Sequence, residues 1–155
     1  MSAVLQQSDY AIRCLLFLVE NRGRLATKSE IAKAVDAPDL FVAKILQRLV
    51  KASVLVSVRG IHGGFSLARE PAAISLLDVL GASQASLAFR PCVLNPKACP
   101  LQNACPSRPV WVSIYETTIK ELRQATFDKL SRDHKSRLRS CARRLSSVKK
   151  GPLPR

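Results

Sequence analysis

Apolar residues recur along this chain with two different periods, and the change of period divides it into elements. Ile12, Leu15, Leu16 and Val19 fall at i, i+3, i+4 and i+7, the spacing of one helical face. Cys14 and Leu18 widen that face, which makes Cys14 a core residue. Ser8 is the expected N-cap, with Asp9 in the first turn and Gly23 closing the helix. Thr27 followed by Glu30 has the form of a capping box and predicts a short helix ending at Val35. After a break at Asp36-Ala37-Pro38, the stripe Val42, Ile45, Leu46 and Leu49 predicts a third helix over 39–52.

The period then shortens. Residues 55–59 and 65–68 are β-like runs joined by Gly60-Ile61-His62-Gly63-Gly64, a link suited to a tight hairpin with positive φ. Ser75 and Asp78 repeat the capping pattern ahead of a helix over 76–81. From 90 to 109 periodicity vanishes. Five prolines (Pro91, Pro96, Pro100, Pro106, Pro109) exclude a continuous helix there, and Cys92, Cys99 and Cys105 fall within fourteen residues. Helical spacing returns with Val110, Trp111, Ile114, Tyr115, Thr118, Ile119 and Leu122, a face wide enough to cover a second copy of the chain. Beyond Lys129 it fades again, although Leu138, Ala142 and Leu145 allow a short amphipathic turn.

Two helices joined by a tight turn and followed by a hairpin make a winged helix-turn-helix, with the third helix entering a DNA major groove. The fold class is therefore mainly α with a small β-hairpin wing and a long C-terminal helix. The division expected is a reader over 1–81, a cysteine loop over 82–108, a dimerisation helix over 109–130 and a flexible basic tail over 131–155. Candidate DNA contacts are Arg13, Lys28, Lys44, Arg48 and Lys51, with Arg59, Gly60 and His62 in the wing. Leu40 and Phe41, at the start of the third helix, suit either thymine methyls or core packing.

Composition narrows the partners. The chain has 155 residues, 47% hydrophobic, enough for one domain with a real core. No apolar run reaches about 18 residues, so no membrane partner is expected. The opening MSAVLQQSD shows no basic segment or cleavage site, which points to the cytoplasm. The net charge of +14 is uneven, since residues 129–155 carry ten Lys and Arg against one acid, Asp133. Such a balance favours a polyanion, with double-stranded DNA ahead of a membrane surface.

Clustered thiols favour soft metals and iron–sulfur clusters. A structural zinc is the alternative, but it would use paired C-x₂₋₄-C spacing and a fourth ligand. An enzyme with a reactive thiol lacks C-x-x-C spacing and a partner histidine here, so neither catalysis nor a small-molecule substrate is expected. Cys141, among arginines, has no partner thiol nearby in sequence.

Over about residues 5–130 the sequence resembles the Rrf-two family of bacterial transcription regulators, which includes the IscR, NsrR and RirA types. The stretches carrying the resemblance are SDYAIRCLLFL, DLFVAKILQRLVKASVLVSVRGIHGGFSLAREPAAISLLDVL, and the cysteine loop leading into RPVWVSIYETTIKEL. The third-helix motif is most similar to the NsrR and RirA types. The resemblance implies a homodimeric winged-helix repressor whose operator affinity is set by an iron–sulfur cluster, 4Fe–4S rather than 2Fe–2S, sensing nitric oxide, iron or redox state. Cys92, Cys99 and Cys105 match its ligand positions. IscR-type members have a histidine three residues after the third cysteine, where this chain has Arg108, and neither His62 nor His134 is placed to replace it. Asp9 matches an aspartate that NsrR-type members supply from the opposite subunit.

Overall fold

The structure is a computed structural model that describes residues 3–83, 90–101 and 104–148. Helix α1 spans Ala3–Glu20, so it starts more than a turn before Ser8. Ser8 is therefore no N-cap; it lies within the helix and is buried. Nothing from Ala3 to Gln7 breaks a helix, and good helix formers carry it past the polar pair at 8–9.

The Thr27 capping box forms as expected and opens α2, Lys28–Val35. The Glu30 amide donates to Thr27 Oγ1 (3.2 Å) and the Thr27 amide donates to Glu30 Oε2 (2.8 Å). That amide, and then the Arg24 guanidinium, hold the Glu30 carboxyl below its usual pKa. Asp36 ends the helix in the left-handed region (φ 53°), and α3, Asp39–Lys51, follows. The stripe Val42, Ile45, Leu46 and Leu49 is buried.

Strand β1, Leu55–Val58, pairs antiparallel with β2, Gly64–Leu67, in the register Leu55↔Leu67 and Val58↔Gly64. Gly60 has φ +116°, and a Cβ on Gly63 would lie 2.3 Å from the Val58 carbonyl oxygen, so both turn positions exclude other residues. Two backbone hydrogen bonds between Ala26 and Phe65 stitch this wing to the loop before α2.

Ser75 and Asp78 form the second capping box, opening α4, Leu76–Ala82. α4 packs against α1, α3 and the later helix α6, Arg108–Gln124. In the cysteine region, Pro91 begins a single turn, α5 (Pro91–Leu94), and Pro96 begins a 3₁₀ turn over Pro96–Ala98. Prolines interrupt the chain there yet also start its turns, since a residue at the first helical position needs no intrahelical amide bond. Positions 84–89 and 102–103 of the expected loop lie outside the described residues.

The long helix expected from the sequence divides in two. α6 spans Arg108–Gln124 and buries none of its residues; α7 spans Phe127–Val148. The expectation of a flexible tail from 131 is thus corrected as far as 148, while the rest of that tail is outside the described residues. No glycine or proline falls between 127 and 150, and Arg132 pairs with Asp128 at 2.7 Å one turn back. The docked stripe is Phe127, Leu130, Ser131 and His134. Phe127 is fully buried, and His134 Nδ1 lies 3.3 Å from Glu20 Oε1 on α1. Two of these four positions are polar, which hides the helical period from a count of apolar residues.

Phe127→Ala should lower stability by about 3–5 kcal/mol and expose α7 amides first; denaturant titration and hydrogen exchange would read this, and an unchanged midpoint would remove Phe127 as the anchor. Because the folded carboxyl of Glu30 titrates below its unfolded value, its stabilisation is present above the unfolded pKa of about 4.3 and is lost as pH falls through the folded one. Glu30→Gln should therefore be less stable than the parent at pH 7 and converge with it in acid.

Candidate functional site

Two surfaces carry chemistry. On the first, Asp39 at the start of α3 accepts from the Ser29 hydroxyl (2.8 Å) and pairs with Lys28 (3.5 Å), locking the two helices of the turn together. Lys44 and Lys51 are exposed on α3; Arg59, Gly60 and His62 are exposed in the wing. Lys44, Lys51, Arg59 and His62 have no ion pair among the described residues. Leu40 is 78% exposed, whereas Phe41 is half-buried edge-to-face against Tyr10, ring centroids 5.3 Å apart. Packing therefore engages Phe41 and leaves Leu40 at the surface. Arg48 turns back to donate to Gln7 on α1. Arg13 bonds Asp9 (2.8 Å) and lies over the Tyr10 ring. Ile61, at the tip of the wing, is 98% exposed.

The second surface is a cavity of about 340 Å³ that all three loop thiols border, with Arg90, Arg108, Ser107 and Trp111 among its other walls. Local turns bring the sulfurs to one space. The Asn95 side chain accepts from the Lys97 amide (3.1 Å), and the amides of Ala104 and Cys105 both donate to the Leu101 carbonyl. The thiols are half-buried, and no three His, Cys, Asp or Glu side chains among the described residues stand close enough to hold a single metal ion. Asp9 is on α1 and does not line this cavity.

Cations surround the sulfurs. Ser107 Oγ lies 3.3 Å from Cys105 Sγ; this hydrogen bond, then backbone donors and the Arg108 charge, hold the Cys105 thiol below its ordinary pKa. Arg90 lies over the Trp111 ring, 5.6 Å from its centroid. Arg108 Nε is buried with no acceptor among the described residues. Sequence reasoning placed Trp111 only on a dimer face and gave Arg90 and Ser107 no role. The signal available was the Arg-Pro-Cys and Cys-Pro-Ser-Arg words that bracket the loop.

A larger cavity, about 680 Å³, lies between the end of α1 and β2, but its arginines are already paired: Arg22 with Glu70, Arg24 with Glu30 and Arg69 with Asp78. Cys14 is the opposite of Cys105: burial pushes its thiol up to about 12. Iodoacetamide at pH 8 should therefore alkylate the loop cysteines of metal-free protein, Cys105 fastest, while Cys14 reacts only after unfolding; peptide mass mapping over time checks the order.

Residues 4–133 match the profile of the Rrf2 family, described as an iron-dependent transcriptional regulator. A relative in Aquifex aeolicus (strain VF5), provisionally named an HTH-type transcriptional regulator, is 36% identical over 123 residues, covering 73% of this chain and 85% of its own. The regulator NsrR of Shouchella clausii (strain KSM-K16) is 27% identical over 104 residues, 61% of this chain and 69% of its own. Among solved structures, CymR of B. subtilis, titled its global cysteine regulator, superposes with TM-score 0.68 at 20% identity over 84% of this chain and 95% of that one. IscR of T. potens does so with TM-score 0.66 at 22% identity over 86% and 87%. These likenesses share the winged helix-turn-helix seen here, and no helix among the described residues is long and apolar enough to cross a membrane. The chain belongs to the Rrf2 family of HTH-type transcriptional regulators, which are DNA-binding proteins and not enzymes.

Proposed function

We propose that this protein is a homodimeric repressor of the bacterial cytosol whose operator affinity is set by an iron–sulfur centre on Cys92, Cys99 and Cys105. The observation that carries the reading is a cavity bordered by three thiols and two arginines, one with a buried donor that has no acceptor among the described residues. Thiolates and cations together suit a sulfur-rich anion. A lone tetrahedral zinc, with Zn–S bonds of about 2.3 Å, would need the sulfurs within about 4 Å of one another. No such grouping of three His, Cys, Asp or Glu side chains occurs among the described residues, which speaks against a lone zinc; a 4Fe–4S centre is the proposed occupant. Asp9 of a second copy is the proposed fourth ligand. When bound, such a centre supplies a core open to nitric oxide, iron loss or oxidation, and it ties three points of the loop together.

The chain's own packing supplies the coupling. α5 rests on α6, α6 on α4, and α4 on both α1 and α3. A change in the loop would thus reach α3 through α5, α6 and α4 in turn. On α6, Val110 and Ile114 are exposed, and this apolar face is the proposed dimer contact. A dimer must hold its two α3 helices about 34–36 Å apart to enter successive major grooves. Lys44, Lys51, Arg59 and His62, with Leu40, form the proposed DNA-facing set; the paired Arg13, Lys28 and Arg48, with Phe41 and Gly60, complete it by position.

Protein purified without oxygen should contain iron and sulfide, and Cys99→Ala should lose both together with the response of operator binding to nitric oxide. Iron-poor wild type that grips its operator regardless of nitric oxide or chelator would leave a plain winged-helix binder. Arg59→Ala should make the log–log dependence of binding on salt shallower by about 0.9 for each phosphate that the arginine no longer neutralises.

A further inference from the structure

Arg108 Nε is the one side-chain nitrogen or oxygen among the described residues that is buried without a hydrogen-bond partner. Buried donors on a cation are costly to leave unpaired, so an orphan of this kind marks a missing acceptor. Its place narrows what that acceptor is. Arg108 borders the thiol cavity, and its amide donates to the Cys105 carbonyl at 3.4 Å, which places the residue at the cysteine end of α6. Among the described residues no carboxylate lines the cavity. The Ser107 hydroxyl is already engaged with Cys105. Arg90, the other cation of the wall, is exposed and lies over the Trp111 ring.

Arg108 is also the first residue of α6, where the helix dipole adds positive potential. Three thiolates around one space repel one another and attract a donor that carries charge. The buried face of Arg108 meets that requirement, and Arg90 holds its charge nearer the solvent.

We propose that Arg108 is a positioning residue for the group held by the three cysteines, its Nε–H donating to a sulfur of that group and offsetting its negative charge. This inference rests on the iron–sulfur reading above. Removing the donor should make it harder to add an electron to an already anionic centre and easier to strip iron from it. A lysine at 108 keeps the charge but lacks the planar donor, so it should protect the reduction potential better than it protects iron retention.

The test compares full-length wild type, Arg108→Gln and Arg108→Lys, all purified without oxygen. Iron and sulfide per chain are measured first, then the midpoint potential by mediated titration, then the rate of visible-absorbance loss under an iron chelator. The expected result is a more negative midpoint for Arg108→Gln with iron loss about tenfold faster, the scale of one charge-assisted hydrogen bond. Arg108→Lys should show a midpoint near wild type with accelerated loss, and it carries the test if the Gln chain does not fold. If Arg108→Gln holds iron and sulfide with the wild-type midpoint and chelator rate, the role of Arg108 is overturned while the iron–sulfur reading stands. If wild type itself contains neither iron nor sulfide, the iron–sulfur reading falls and takes this inference with it.

Discussion

Two backbone hydrogen bonds hold the arrangement in register: the Leu76 amide to the Ala125 carbonyl at 2.8 Å and the Phe127 amide to the Ile74 carbonyl at 2.9 Å. They form a one-residue antiparallel bridge, Ser75↔Thr126, between the entrance of α4 and the corner joining α6 to α7. Ile74 and Phe127, on either side of it, are fully buried, so the corner is pinned by burial as well as by hydrogen bonds. α6 then leaves the winged helix from a fixed root. Its 17 residues reach about 25 Å, with the thiol cavity at the far end and no buried residue along the way. A helix held at one end and lightly packed along its length can transmit a change at the other.

The cysteines show how far local surroundings separate identical groups. Cys14 sits in the core of α1, where desolvation keeps its proton on. Cys105 has a hydroxyl, backbone amides and a guanidinium beside it, all of which favour the thiolate. The first environment is made by helix packing and the second by a proline-broken loop that cannot bury itself.

Helix α3 divides its residues between internal contacts and the open surface. Phe41 against Tyr10 and Arg48 on Gln7 tie α3 to the first turns of α1, the turns that also carry Asp9 and Arg13. Leu40, Lys44 and Lys51 remain at the surface. The helix that carries Asp9 is thus mechanically continuous with α3, through an aromatic contact and one part-buried hydrogen bond.

The periodic stripes of α1 and α3, both capping boxes and the glycine-bounded hairpin were legible from residues alone, because each is a local pattern whose period or spacing maps onto one backbone geometry. The three thiols were legible as a group for the same reason. The start of α1 was misplaced because Ser8 and Asp9 look like a cap while tolerant neighbours let the helix run on. The α6–α7 corner and the helix through 148 were not visible, since Ser131 and His134 interrupt the apolar count and their docking depends on α1, more than a hundred residues away. The orphan donor of Arg108 and the retreat of Phe41 and Arg48 into internal contacts belong to the same class. Local pattern sets which elements form; which side chains remain free to act is settled only when distant segments compete for them in the folded chain.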